Sequence, residues 1–256
     1  MATSSLSAGE ALASTSGKDN YQRLARLIVV GGTTLLRDVF DSIYPPSALP
    51  YCLTNPAISS KLSWINKRER ECLYPSPGKC GRSVDFDITM LFKLLKTICN
   101  LPAPTGKWND QPDDSDTSLS ADIARIRCYR NCICHDSENM EIPNDQFQLL
   151  WANIRDAIIR IAQRLSKGSE WKSAVDKFLK DPLTLDSERH VEELTQWYIN
   201  DLDHKKALKE LKDETSQIKG DTSQIKDDTS QIKGDISQIN VNTGKIEQML
   251  YAGLSQ

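Results

Sequence analysis

One short stretch concentrates the side chains with which this protein could do chemistry on a phosphate. Residues 125–135 read Arg-Ile-Arg-Cys-Tyr-Arg-Asn-Cys-Ile-Cys-His, and within them Arg130, Asn131 and His135 fall in the spacing R-N-x-x-x-H. An imidazole takes or gives a proton near neutral pH. A guanidinium can hold a phosphate in a fork and stabilise charge as it develops, and an amide can orient either group. The set suits cleavage of RNA without a metal. Five residues turn about 140° around a helix, so Arg130 and His135 share a face only where the helix ends near His135. Asp136-Ser-Glu-Asn139 favours such an ending. Arg125 and Arg127 add positive charge that could touch RNA. The plainer reading is a capped helix end with a packed arginine stem, a terminal histidine and two solvated arginines.

Other reactive side chains point to less. Cys128, Cys132, Cys134 and His135 have the spacing C-x3-C-x-C-H, which lacks the paired C-x2-C halves of a zinc knuckle. A Cys134–His135 nucleophile pair is disfavoured because adjacent helical residues point apart. Asp85 and Asp87 could hold a metal between them, but acids in a first helical turn explain them more simply. His190 and His204 lie among charged helical residues and are expected to face solvent. No cofactor and no metal is implied.

The elements that must position these residues read as helices throughout. Tyr21–Tyr44 is a helix with Gly31-Gly32 disturbing its middle, stopped by Pro45-Pro46. Shorter pieces follow over Asn55–Ser63 and Lys67–Cys72, then a turn at Ser76-Pro77-Gly78. Asp85–Leu101 is the next helix, followed by a polar loop from Pro102 to Ser118. The motif helix runs Ser120–Cys134, with Ile123, Ile126 and Ile133 on one side. Asp145–Leu165 carries a regular stripe of Leu150, Ile154, Ile158, Ile161 and Leu165. Trp171–Leu183 and Ser187–Ile199 are two further short helices, and the tryptophans are expected in the packing. No stretch alternates like a strand. The fold class is all-α. Residues 1–19 read as a disordered tail, 20–166 as the helical domain, 167–200 as a helical linker and 201–252 as a coiled coil.

That last region is an internal repeat of seven. Glu214-Thr-Ser-Gln-Ile-Lys-Gly recurs at Asp221, at Asp228 and, in altered form, at Asp235. Leu211, Ile218, Ile225, Ile232, Ile239 and Ile246 occupy position d. Leu208, Thr215, Thr222, Thr229, Ile236, Thr243 and Leu250 occupy position a. Acids at g (Glu214, Asp221, Asp228, Asp235) and lysines at e (Lys219, Lys226, Lys233) match the pairing of parallel chains. Isoleucine at d favours three strands over two, with a dimer or tetramer left open. The expected partner is therefore the chain itself, in a parallel homo-oligomer.

Composition sets the outer limits. The 256 residues carry 32 Lys+Arg against 35 Asp+Glu, a net charge of −3 that argues against a general nucleic-acid coat but not against a local RNA site. A hydrophobic share of 39% is lean for a chain with a broad core throughout. No run is long and apolar enough for a membrane helix, so no membrane partner is expected. The Ser- and Ala-rich start is unlike a signal peptide. Seven cysteines, an odd number at irregular spacing, suit reduced thiols in the cytoplasm.

At Arg130-Asn131-x-x-x-His135 the sequence resembles the R-x4-6-H signature of HEPN domains (higher eukaryotes and prokaryotes nucleotide-binding). The surroundings are similar to the DAZ-interacting-protein-3-like subtype. The supporting blocks are Leu36-Arg-Asp-Val-Phe, Leu73-Tyr-Pro-Ser-Pro-Gly, Asp85-Phe-Asp-Ile-Thr and Thr117-Ser-Leu-Ser-Ala-Asp-Ile-Ala-Arg-Ile-Arg-Cys-Tyr-Arg-Asn, in this order within residues 20–165. The resemblance implies a helical bundle that pairs through its motif helices, in a self-associating module of an innate-immune or signalling kind. In nuclease members it implies a metal-independent endoribonuclease, with Arg130 on the phosphate, His135 as base or acid and Asn131 orienting them. Many members are thought to bind RNA or protein partners without cutting. The alternative is thus a non-enzymatic adaptor, its bundle binding signalling proteins and its coiled coil setting the copy number.

Overall fold

The structure, a computed structural model, describes residues 15–135, 140–183 and 186–253. The side chains at 135, 186–188, 198, 201, 204–205 and 250–253 lie outside the description. Every regular element among the described residues is helical, so the fold is all-α.

The expected first helix is three elements in one continuous run. α1 (Ser16–Arg26) passes into a π-helical turn (Leu27–Gly32) and then α2 (Thr33–Ile43). The double glycine explains the turn's place in the bundle. A Cβ on Gly32 would stand 3.1 Å from Ile126 and 3.3 Å from Ile88, so the backbone there lets two other helices approach closely. α1 begins inside the stretch expected as a disordered tail, with Thr15 as its N-cap.

α3 (Leu49–Thr54), α4 (Pro56–Lys61) and α5 (Lys67–Leu73) are short and lead to a tight turn. In that turn Pro77 precedes Gly78 at φ +75°, and Lys79 N–H donates to Ser76 at 2.9 Å. A 3-10 turn (Ser83–Asp85) then delivers α6 (Ile88–Ile98), capped by Asp87, whose carboxylate accepts from Met90 N–H at 2.8 Å. The cap moves the start of this helix three residues past the sequence expectation.

α7 (Leu119–His135) packs along α8 (Asn144–Arg164), and also meets α1 and α6. Residues 120–126 are buried on every side, so α7 is the central helix and not one with a single apolar face. α8 presents Leu150, Ile154, Ile158 and Ile161, all buried, as its stripe requires.

Residues 167–200, expected as a linker, are built into the bundle. α9 (Gly168–Phe178) packs on α8 with Val175 buried, and Leu194 is fully buried. Of the two short helices expected around Pro182, the first is observed as α9 with shifted bounds. α9 ends at Phe178, and the second expected helix falls within a longer one, α10 (Asp186–Gly253), which also carries the heptads. The chain divides into compact units at 1–200 and 201–256. Within the second unit the helix leaves its isoleucines outward.

Candidate functional site

Burying a central helix that carries Asp122, Arg125 and Arg130 obliges each charge to find partners. Asp122 is fully buried and receives Arg125 at 2.9 Å and Arg160 at 2.6 Å. Arg125, 3% exposed, also donates to the Asp113 carbonyl and so ties the polar loop to the core. The structure therefore assigns Arg125 to this internal network and removes it from an RNA-facing surface. Arg127 is half-buried, its guanidinium 5.1 Å from the centre of the Phe92 ring.

Arg130 is the motif residue whose placement decides most. It is 1% exposed and among the largest fully buried side chains. Its Nη1 donates to Thr89 Oγ1 on α6, while Nε and Nη2 donate to Asn131 Oδ1 at 3.1 and 2.7 Å. Arg130 and Asn131 are thus brought together, with the amide holding the guanidinium as its type allows. The shared oxygen and the Thr89 hydroxyl take up donors that a phosphate would need. His135 is the last described residue of α7 before 136–139, which lie outside the described residues, as does its own side chain.

Asp87 supplies the local countercharge. Burial pushes its carboxyl above the usual range, even though the Met90 N–H and the Arg130 guanidinium pull the other way. Asp85 has a different job, in a two-pronged pair with Arg82 at 2.9 and 3.0 Å. The two acids belong to a turn and a cap, not to a shared metal. Among the described residues no group of three or more His, Cys, Asp or Glu side chains could hold a metal ion.

Cys128 and Cys134 of the motif are unactivated. Burial pushes Cys134 up to about 12 and raises Cys128, so both stay as thiols at neutral pH. None of the seven cysteines forms a disulfide among the described residues.

Sequence reasoning missed Thr89 and misplaced His190, which is 8% exposed and not solvent-facing. It lines a crevice of about 310 Å³ together with Thr33, Arg37, Asp87, Arg189 and Glu193. The signal was available: Val191, Leu194 and Trp197 mark the apolar side of this part of α10, and His190 lies one turn before Leu194. His204 has its side chain outside the described residues. Trp108 and Trp151 are buried as expected, whereas Trp64 is 44% exposed beneath the Lys93 ammonium.

Known sequences match the part of the chain that contains the motif helix. The profile of the DZIP3/hRUL138-like HEPN family matches residues 46–191, more than half of the chain. The chain belongs to this HEPN family. It is 27% identical over 170 residues to a human E3 ubiquitin-protein ligase DZIP3, and 27% identical over 178 residues to the mouse protein of that name. Each match takes in 64% of this chain and 14% of the relative, so the chain spans about one-seventh of the curated HEPN relatives it matches. No solved structure matches. Among the described residues no helix is long and apolar enough to cross a membrane.

Proposed function

We propose that this HEPN protein is a non-enzymatic, self-associating scaffold of a signalling kind, working in the cytoplasm. Its bundle binds protein partners and its heptad helix joins three parallel copies. The observation that carries the reading is the burial of Arg130. A guanidinium at 1% exposure, donating to Thr89 and Asn131, serves the packing of α7 on α6. To grip a phosphate it would have to leave those partners, at the cost of exposing the core of the motif helix.

A metal-independent endoribonuclease that binds and cuts RNA is the second reading. It is favoured by one observation: Asn131 Oδ1 accepts from both Nε and Nη2 of Arg130, the orienting role that the motif asks of the amide. The two readings separate in one assay. Single-stranded RNAs of varied sequence are incubated in EDTA with the assembled wild type and with His135→Ala. The scaffold reading predicts intact RNA with both proteins. Cleavage by the wild type that disappears in His135→Ala overturns it in favour of the nuclease.

A further inference from the structure

The heptads pose a problem of alignment that most of their residues do not solve. The three units beginning at Glu214, Asp221 and Asp228 are nearly identical. Sliding one chain past another by seven residues therefore sets isoleucine against isoleucine at d and threonine against threonine at a. The charge ladder is equally indifferent, because each acid at g again meets a lysine at e. The ladder favours parallel over antiparallel pairing but cannot tell zero offset from a slip of one heptad.

The threonine layers add no discrimination. In the structure Thr215, Thr222, Thr229 and Thr243 each donate Oγ1 to the carbonyl four residues earlier, at 2.7, 2.7, 2.6 and 2.9 Å. Each hydroxyl is spent inside its own helix, so the layer needs no polar partner across the seam. What remains in the repeat is one exception: position a holds isoleucine at 236, between Thr229 and Thr243. Ile236 is 52% exposed, in line with the 57–64% of the d-position isoleucines Ile218, Ile225, Ile232, Ile239 and Ile246.

We infer that the exposed seam is occupied by further copies of this chain, parallel and at zero offset, and that Ile236 sets that register. This rests on the self-association reading. At zero offset the Ile236 side chains share one layer and fill it. A slip of one heptad sets each against Thr229 or Thr243, whose side chains are shorter, and leaves voids in two layers. Leu208 and Leu211 add to the same preference at the N-terminal end, where each meets its own counterpart only at zero offset and otherwise meets Thr215 or Ile218.

The test uses the full chain. Thr222→Cys and Thr229→Cys proteins are mixed under denaturant, refolded together and oxidised, and the cross-linked peptides are counted by mass spectrometry, with the wild type as the control for native thiols. Like-with-like disulfides at 222 and at 229 are expected to exceed the 222-to-229 disulfide at least tenfold. Adding Ile236→Thr to both chains is expected to shrink that excess several-fold while the oligomer mass persists. Equal amounts of the offset disulfide with Ile236 present, or an unchanged ratio in Ile236→Thr, overturns the register role. An intact oligomer mass with neither kind of disulfide at 222 and 229 overturns the parallel zero-offset seam. A monomer mass overturns the self-association reading itself.

Discussion

Helix α8 and the heptad part of α10 both carry regular isoleucine stripes, and the two stripes meet opposite fates. On α8, Ile154, Ile158 and Ile161 are fully buried against α7, α9 and α1 of the same chain. On α10, Ile218, Ile225 and Ile232 are 57–64% exposed. The difference lies in the spacing. Alternating steps of three and four that include extra apolar positions make a face broad enough to enter a multi-helix core. Two positions in seven, one of them mostly threonine, make a seam that only another narrow seam can cover. The first kind of helix is completed by its own chain. The second, under the proposed self-association, is completed by other copies.

Three variants would break or sharpen that contrast. The largest effect is expected from Ile225→Asp with Ile232→Asp, which sets carboxylates in two successive d layers, on either side of the Thr229 layer. Sedimentation should show the oligomer replaced by monomer, while the thermal transition of the bundle stays in place. Loss of the bundle transition as well would mean that the two regions are not separate in stability.

Next comes Asp122→Ala, which leaves the buried Arg125 without its carboxylate. Breaking a buried pair of this kind costs about 3–5 kcal/mol, measurable as a lower urea midpoint for the bundle. The oligomer mass should persist, because the seam makes no use of Asp122.

The smallest effect concerns Asp87. A carboxyl raised in the fold above its unfolded value carries a stability cost once ionised. That cost is absent below the unfolded value and grows as pH rises through the folded one. Asp87→Asn keeps an N-cap oxygen for Met90 and removes the charge. It should therefore be more stable than the wild type at pH 7, with the gap closing as pH falls below the carboxylate range. Urea melts from pH 3 to 7 would check this. A gap that favours the wild type at pH 7 would mean that Arg130 needs the charge more than burial penalises it.

Much of this was legible in the residues, and the failures share a cause. The α8 stripe and the heptads could be read directly because their signal is periodic and local. The family could be read from four short blocks, three of which lie within the matched residues 46–191. The motif helix was read as one-faced, because periodicity counts apolar positions and cannot see that Asp122, Arg125 and Arg130 are buried with them. Those burials depend on Arg160, Asp113 and Thr89, which lie 38, 12 and 41 positions from their partners in the sequence. His190 was sent to solvent by the same reasoning, since its charged sequence neighbours hid the apolar side formed with Leu194 and Trp197. Residues 167–200 were read as a linker because the single buried anchor of α9, Val175, is too sparse to mark a core.

The most direct test of the contrast between a self-sufficient bundle and an incomplete helix is the mass of the intact chain in solution. Sedimentation equilibrium at tens of micromolar should give three times the chain mass, falling toward one on dilution. A single-chain mass across that range would contradict it, and would leave the exposed isoleucines without the partner that their spacing requires.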